Sequence, residues 1–357
     1  MKRPTHGGNL AWAAALAGCS PASILDFSAS INPLGPPQSA IAAIKAHLDF
    51  LRAYPDPNYY ELRLALGLAH SLPPDWILPG NGSAELLTWA GWDLAKLEVT
   101  CLVTPAFGDY WRALRAFNAN VIECPLDFSA EVKPILNMRF EILDQKSKIG
   151  LILNNPHNPT GFLFSKETLL PLLEQFALVV VDEAFMDFLP PDQQQSLIPL
   201  VTEFSNLAIL RSLTKFYTMP GLRLGYAIAH PDRLNRWQTM RDPWPVNTLA
   251  AAAGVAVLQD KEFQQQTWDW LTPAKSQLFE GMEQLPGLRP YESAANFLLV
   301  ESEHPTSQLQ EKLLKHSKIL IRDCLSFPEL GDRYFRVAVR SVADNQRLIK
   351  GLAEILN

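Results

Sequence analysis

The chain has 357 residues, which is enough for one large or two moderate domains with an ample buried core. Its net charge of −6 and pI near 5.7 give none of the basic surface that nucleic-acid binding requires, so nucleic acid is excluded as a partner. The longest apolar run, residues 249–258, is far shorter than the ~20 residues of a membrane-spanning helix, so a membrane role is excluded too.

The N-terminal residues predict a helix over 9–18. Lys2 and Arg3 precede a short apolar stretch, and the Leu-Ala-Gly-Cys at residues 16–19 resembles a lipoprotein processing site. The stretch is at the lower limit for a signal peptide, and cleavage would remove the His-Gly-Gly-Asn at residues 6–9, so we interpret it as an ordinary helix. The four cysteines are scattered without metal-site spacing, which predicts reduced thiols and a cytoplasmic protein.

Apolar strands alternate with helical patterns along the rest of the chain. Short aliphatic runs predict strands at residues 99–103, 149–153, 178–181, 207–210 and 224–229. Helical patterns between several of them are typical of a parallel, doubly wound sheet, so the predicted fold class is α/β. Ligands of such sheets bind at the carboxyl ends of the strands, and polar residues that follow these strands are therefore candidate site residues.

The first candidate is the Pro-Gly-Asn-Gly-Ser-Ala-Glu sequence at residues 79–85. Its glycines allow the backbone to approach an anion, and the N terminus of a helix that begins near Ser83 favours phosphate. A plain helix cap would show the same pattern. The candidate phosphate contacts are Asn81, Gly82 and Ser83.

A second candidate follows the predicted strand at 149–153, where the chain reads Asn-Asn-Pro-His-Asn-Pro-Thr-Gly. Such a rigid loop can fix Asn158 as a hydrogen-bond donor to a phenolate oxygen, although a Pro-rich connection without function has the same composition.

A third candidate is Asp182, which ends the run Val-Val-Val at residues 179–181. This run predicts a buried parallel strand that delivers the carboxylate to the edge of the sheet. A buried aspartate needs a charged partner, and a pyridinium N–H would serve. The alternative is a helix N-cap.

The most informative spacing is Ser-Leu-Thr-Lys at residues 212–215, followed eight residues later by Arg223. A lysine at the end of a buried strand can form a Schiff base with an aldehyde cofactor. The Ser212 hydroxyl and the Arg223 guanidinium can then hold a phosphate of the same cofactor. Alone, Lys215 would be interpreted as a solvated surface residue.

Together and in this order, these motifs resemble the class I/II aminotransferase superfamily of fold-type I enzymes over residues 80–226. The resemblance implies pyridoxal 5′-phosphate as cofactor and Lys215 as the catalytic residue. It implies that Phe107, in Pro-Ala-Phe, stacks on the cofactor. It also implies that Tyr54, in Tyr-Pro-Asp, reaches the phosphate of the neighbouring subunit's cofactor, in a homodimer with shared active sites.

Two branches of the superfamily resemble the chain: the threonine-phosphate decarboxylases of cobalamin biosynthesis and the histidinol-phosphate aminotransferases. Residues 6–9, residues 26–36 and Phe185, where aminotransferases usually carry tyrosine, favour the decarboxylases, and Arg-Val-Ala-Val-Arg-Ser at 336–341 agrees. We therefore expect a lyase that converts L-threonine O-3-phosphate to (R)-1-aminopropan-2-yl phosphate. An aminotransferase is the alternative. A non-catalytic binding protein of the same fold is a minor alternative. The presence of the full set of cofactor residues argues against it.

The resemblance also implies a domain division. A large cofactor domain with a mostly parallel sheet would span residues 36–250 and end near the Asp-Pro-Trp-Pro break at 242–245, before an Ala-rich helix from about 247. A small α+β domain would span 251–357, and an N-terminal arm, 1–35, would pack on it.

The expected substrate is a small phosphorylated amino acid or amino alcohol, which an acidic protein must attract through local cations. By resemblance, Arg322 matches the arginine that binds substrate phosphate, and Arg336 is a candidate for the substrate carboxylate. His6 and Asn32 are expected to be additional phosphate contacts. The alternative for each arginine is a surface ion pair without function.

Overall fold

A computed structural model of the protein describes residues 3–126 and 148–356. The α-helices in these ranges are α1 (Leu10–Ala17), α2 (Gln38–Ala46), α3 (Tyr60–His70), α4 (Ser83–Leu94), α5 (Gly108–Arg115), α6 (Lys166–Gln175), α7 (Leu213–Phe216), α8 (Pro231–Met240), α9 (Thr248–Gln259), α10 (Lys261–Glu283), α11 (Thr306–Ser317) and α12 (Val342–Leu356). The strands are β1 (Leu25–Asp26), β2 (Ile77–Asn81), β3 (Val99–Thr104), β4 (Val121–Pro125), β5 (Ile149–Asn154), β6 (Leu178–Asp182), β7 (Leu207–Ser212), β8 (Leu224–Ala229), β9 (Leu288–Pro290), β10 (Phe297–Ser302), β11 (Ile319–Leu320), β12 (Arg322–Asp323) and β13 (Tyr334–Ala338).

The largest sheet has seven strands in the order β2-β8-β7-β6-β5-β3-β4. All of its neighbouring strands are parallel except β8, which runs antiparallel to both β2 and β7. Alternate residues of the central strands belong to two separate apolar clusters, so helices cover both faces. A sheet buried on both faces needs the continuous apolar runs seen in the sequence, and the predicted α/β class and the five predicted strands are confirmed.

The sheet brings the predicted site residues to one edge. Asn154 at the end of β5 pairs in register with Asp182 at the end of β6, and Ser212 ends β7 beside them. Because the three strands are parallel and adjacent, their carboxyl ends meet at the same edge.

Strand β2 was not among the five strands that the sequence predicted. The glycine-rich motif begins inside β2, which pairs antiparallel with β8 so that Gly80 lies opposite Gly225. A Cβ built on Gly225 would lie 2.4 Å from the Ser83 nitrogen, so the glycine allows β8 to pass directly under the start of α4. This long-range approach leaves no local pattern in the sequence.

The C-terminal part contains an antiparallel sheet, β12-β13-β10-β9, on which α10 and α11 pack, and α12 packs on these two helices. The predicted N-terminal helix is confirmed as α1: Asn9 caps it by accepting from the Trp12 N–H, and Gly18 ends it in the left-handed conformation. That helix packs on α11, and β1 pairs in parallel with β11. The bounds proposed for the domains stay a prediction. Within the described residues, no helix combines the length and apolarity that crossing a membrane requires.

Candidate active site

Two adjoining cavities, of about 240 and 290 Å³, lie at the carboxyl edge of the large sheet and share His6, Ser83, Phe107 and Lys215. Other residues that the sequence predicted for the site line one cavity each. Asn158, Asp182, Arg322 and Arg336 line the first cavity, and Ser212 and Arg223 line the second. Residues far apart in the chain therefore converge as the motif order predicts.

Lys215 lies in α7, a single turn that begins directly after β7. The Ser212 hydroxyl accepts from the Thr214 N–H and fixes the turn. The Lys215 Nζ atom lies 5.1 Å from the centre of the Phe185 ring. Burial lowers the pKa of Lys215, the charges of Arg223 and Arg336 lower it further, and Asp182 opposes them. A lowered pKa favours the neutral, nucleophilic amine, which bond formation with an aldehyde requires.

Asp182 presents a buried carboxylate to the first cavity. Its Oδ1 accepts from the Ala184 N–H at 3.0 Å, and its Oδ2 accepts from the Tyr110 hydroxyl at 2.9 Å. Burial raises the pKa of Asp182, whereas Lys215, Tyr110 and the Ala184 N–H lower it. A carboxylate held by neutral donors in this way suits a cationic ring nitrogen. Sequence reasoning missed Tyr110, whose local signal is its position three residues after Phe107, the N-cap of α5.

The second cavity has the features of an anion site. Gly82 has a φ of +74°, and a Cβ built on it would lie 2.4 Å from Nη2 of Arg223. The guanidinium thus lies against the backbone that opens α4 at Ser83, and Ser212 lines the same cavity. Helix N–H groups, a hydroxyl and an arginine together are suited to a phosphate. Asn81 is exposed at the end of β2, and its N–H donates to Glu85.

Arg336 and Arg322 lie opposite each other on β13 and β12. Arg336 donates to Oδ1 of Asn158, and its Nε atom is buried without a hydrogen-bond partner. Burial and the neighbouring charge of Arg322 lower the pKa of Arg336 to about 10. A buried guanidinium with an unused donor is a candidate for binding an anion.

Arg322 is tied to the N-terminal segment. Its guanidinium donates to the carbonyl oxygens of Pro4, at 3.2 Å, and Thr5, at 2.6 Å, and to the Ser326 hydroxyl. His6 then lies over Phe107, with ring centres 5.6 Å apart. The N-terminal segment therefore forms one wall of the first cavity.

Four of the predicted site residues are not among those that line these cavities: Asn32, Tyr54, Asn81 and Gly82. Asn32 is only 1 % exposed, and its amide donates to the Phe216 carbonyl and to the Thr267 hydroxyl, both at 2.9 Å. Its own N–H donates to the Lys215 carbonyl, so the residue supports the backbone behind Lys215 and is not assigned a phosphate contact.

Ser30, which sequence reasoning missed, does line the first cavity, and its buried hydroxyl has no hydrogen-bond partner. Tyr54 is 78 % exposed and stacks on Trp244 at 4.4 Å, outside both cavities.

The arrangement fits pyridoxal phosphate. Lys215 could bind its aldehyde, Asp182 would pair with its ring nitrogen, and the anion site at Gly82 and Arg223 suits its phosphate. Because Arg336 occupies Oδ1 of Asn158, the amide nitrogen of Asn158 is the group left to donate to the phenolate oxygen.

Comparison with known proteins agrees with this site. The profile of the family "Aminotransferase class I and II" matches residues 22–352. A threonine-phosphate decarboxylase from Salmonella typhimurium is 40 % identical over 98 % of this chain and 96 % of its own. A histidinol-phosphate aminotransferase from Symbiobacterium thermophilum is 35 % identical over 91 % of this chain and 88 % of its own. The crystal structure of the histidinol-phosphate aminotransferase from Clostridium acetobutylicum superposes with a TM-score of 0.85 at 28 % identity, and covers 94 % of this chain and 99 % of that one.

Proposed function

The chain belongs to the aminotransferase class I and II family, and from this premise we propose that it decarboxylates L-threonine O-3-phosphate to (R)-1-aminopropan-2-yl phosphate in cobalamin biosynthesis. The observation that carries the proposal is the pair of arginines, Arg322 and Arg336, in the cavity of Lys215. This substrate bears both a phosphate and a carboxylate, and one arginine is available for each. The 40 % identity to a threonine-phosphate decarboxylase supports the same assignment.

The cofactor is pyridoxal phosphate, which withdraws electrons from a bond at the substrate's α-carbon when it is bound. Lys215 would hold it, and Asp182 would keep a proton on its ring nitrogen. Phe107 would pack on the ring, while Gly82, Ser83, Ser212 and Arg223 would bind the phosphate.

Arg336 would set the reaction type. The orientation in which the protein holds the substrate would select the bond that breaks, so a decarboxylase must present the substrate's Cα–carboxylate bond for cleavage. Arg336 would bind the carboxylate, while its hydrogen bond to Asn158 holds the guanidinium in place. Carbon dioxide leaves without the bonding electron pair, which remains at Cα, and one proton must then reach Cα. Lys215 Nζ, whose pKa burial lowers, can hold and transfer that proton.

Arg322 would bind the substrate phosphate. Its guanidinium already donates to carbonyl oxygens of the N-terminal segment, which places His6 beside the same cavity. The unpartnered hydroxyl of Ser30 is a further donor there. The N-terminal segment would thus help to enclose the phosphate.

A histidinol-phosphate aminotransferase remains the second candidate, favoured by the relatives and the solved structure of that activity. In that case Arg336 would bind the carboxylate of the amino-acid co-substrate, because histidinol phosphate has none. A non-catalytic role is disfavoured, because the residues most needed for the cofactor all line the two cavities: Lys215, Asp182, Asn158 and Arg223.

Product analysis separates the two activities. The purified enzyme is incubated with L-threonine O-3-phosphate, and carbon dioxide and aminopropanol phosphate are measured. The paired reaction contains histidinol phosphate and 2-oxoglutarate, and glutamate is measured. Carbon dioxide from the first reaction supports the proposal, whereas glutamate from the second without carbon dioxide from the first assigns the aminotransferase activity.

We also propose a homodimer with shared sites. Large apolar side chains are exposed along one stretch of the chain and at a neighbouring tryptophan: Leu48, Phe50, Leu51, Tyr54, Tyr60, Leu64, Leu68 and Trp244. Such a concentration is typical of a surface that a second subunit covers. Tyr54 lies within it and outside its own cavities, in keeping with a contact to the partner's cofactor phosphate.

The shared site can be tested by mixing Tyr54→Phe and Lys215→Ala proteins, each impaired, under conditions that exchange subunits. Activity should be recovered in sites that contain both native residues. An active monomer in light scattering would contradict sharing.

The proposed compartment is the cytoplasm, in keeping with Cys19, Cys101, Cys124 and Cys324, which are all free.

A further inference from the structure

Asp182 accepts a hydrogen bond from Tyr110, a residue that belongs to none of the motifs found in the sequence. The Tyr110 hydroxyl donates to Oδ2 of Asp182 at 2.9 Å, and both side chains are almost fully buried. The other oxygen, Oδ1, accepts from the Ala184 N–H at 3.0 Å. Each carboxylate oxygen therefore has one protein donor and keeps lone pairs for a ligand in the cavity.

Tyr110 is itself fixed by α5. Its N–H donates to the Phe107 carbonyl at 3.0 Å, and the two rings meet edge to face with centres 5.8 Å apart. Phe107 and Tyr110 both line the first cavity. The start of α5 therefore carries a ring that would pack on the cofactor and a hydroxyl that holds the carboxylate expected to pair with the ring nitrogen.

We propose that Tyr110 is a positioning residue that holds Asp182 ionised and aligned, so that the ring nitrogen of the cofactor, and not the carboxylate, carries the shared proton. A hydrogen bond donated to a carboxylate stabilises its charged form, and this matters most where water is excluded. The other groups that act on Asp182 are Lys215, which favours its charge, and Asp109, which opposes it. Without the phenol, Asp182 would compete more strongly for the ring proton.

The inference rests on pyridoxal phosphate as the cofactor but not on the choice between decarboxylase and aminotransferase. The test is therefore made on the holoenzyme without substrate. The cofactor is labelled with ¹⁵N in its ring, and the nitrogen resonance is recorded in wild type and in Tyr110→Phe. The dissociation constant of the cofactor is measured with the apo-proteins.

A matched control is Tyr226→Phe. Tyr226 is as buried as Tyr110, and its hydroxyl also makes one side-chain hydrogen bond, to His70 at 2.8 Å, but it lines neither cavity. It therefore reports what the loss of any buried hydroxyl does to the fold. Thermal unfolding of the apo-proteins establishes that each variant is folded.

In Tyr110→Phe, the nitrogen resonance should move toward that of an unprotonated pyridine, and the cofactor should bind about tenfold more weakly. Tyr226→Phe should leave both unchanged. On an Asp182→Asn background, Tyr110→Phe should cause no further shift, because the carboxylate through which it acts is gone. A wild-type resonance in Tyr110→Phe, or an equal shift on the Asp182→Asn background, would overturn the proposal. A wild-type protein that binds no cofactor would overturn the cofactor assignment itself.

Discussion

Gly82→Ala should weaken the proposed binding site for the cofactor phosphate in two ways. Gly82 has φ +74° and ψ 163°, a conformation that is essentially restricted to glycine, and an alanine there costs about 1–3 kcal/mol of strain. The new Cβ would also lie 2.4 Å from Nη2 of Arg223, so the guanidinium must move away. A hydrogen bond to a charged group contributes about 1.5–3 kcal/mol, so its loss should raise the dissociation constant of pyridoxal phosphate roughly 10- to 100-fold.

The assay has two measurements. Urea unfolding of the apo-protein gives the loss of unfolding free energy, and titration of the apo-protein with pyridoxal phosphate gives the dissociation constant. Gly221→Ala is the matched control, because a Cβ at Gly221 meets no atom within 4 Å and its φ is not positive. Gly221→Ala should bind the cofactor as wild type does. If Gly82→Ala also bound it with wild-type affinity, Arg223 and the start of α4 would not form the phosphate site.

Other substitutions test the proposed catalytic lysine, the two arginines and a buried histidine. Lys215→Ala should abolish the visible absorbance of the lysine-bound cofactor and essentially all turnover, with circular dichroism unchanged; wild-type turnover would contradict the assignment. Arg336→Lys should lower kcat on threonine phosphate strongly, because lysine lacks the bidentate fork, whereas Arg322→Lys should mainly raise KM. Burial lowers the pKa of His157 to about 3, so the folded state keeps it neutral while the unfolded chain protonates it below about pH 6.5. The neutral His157 side chain therefore contributes less to the free energy of unfolding as the pH falls below about 6.5. The difference in unfolding free energy between wild type and His157→Asn should shrink by about 2 kcal/mol from pH 7 to pH 5, and a constant difference would contradict this.

The sequence determined the features that depend on local pattern. Aliphatic runs must be buried on both faces of a sheet, so β3, β5, β6, β7 and β8 were predicted close to their observed bounds. A polar residue directly after such a strand lies at the carboxyl edge, and Asp182, Ser212 and Lys215 were found on this ground. Pyridoxal phosphate needs a lysine, a carboxylate and a phosphate site together, so the presence of all these motifs in one order indicated the cofactor.

Tertiary structure decided what depends on contacts between distant segments. Tyr110 meets Asp182 across 72 residues, and its helix carries no pattern that reveals the contact. Ser30 and Asn32 are two residues apart, yet Ser30 faces the cavity while Asn32 bonds to Phe216 and Thr267. The free energy of burying a polar side chain depends on its hydrogen-bond partners, and only the folded chain supplies them. The packing of the chain therefore decides which of two neighbouring polar side chains reaches a site.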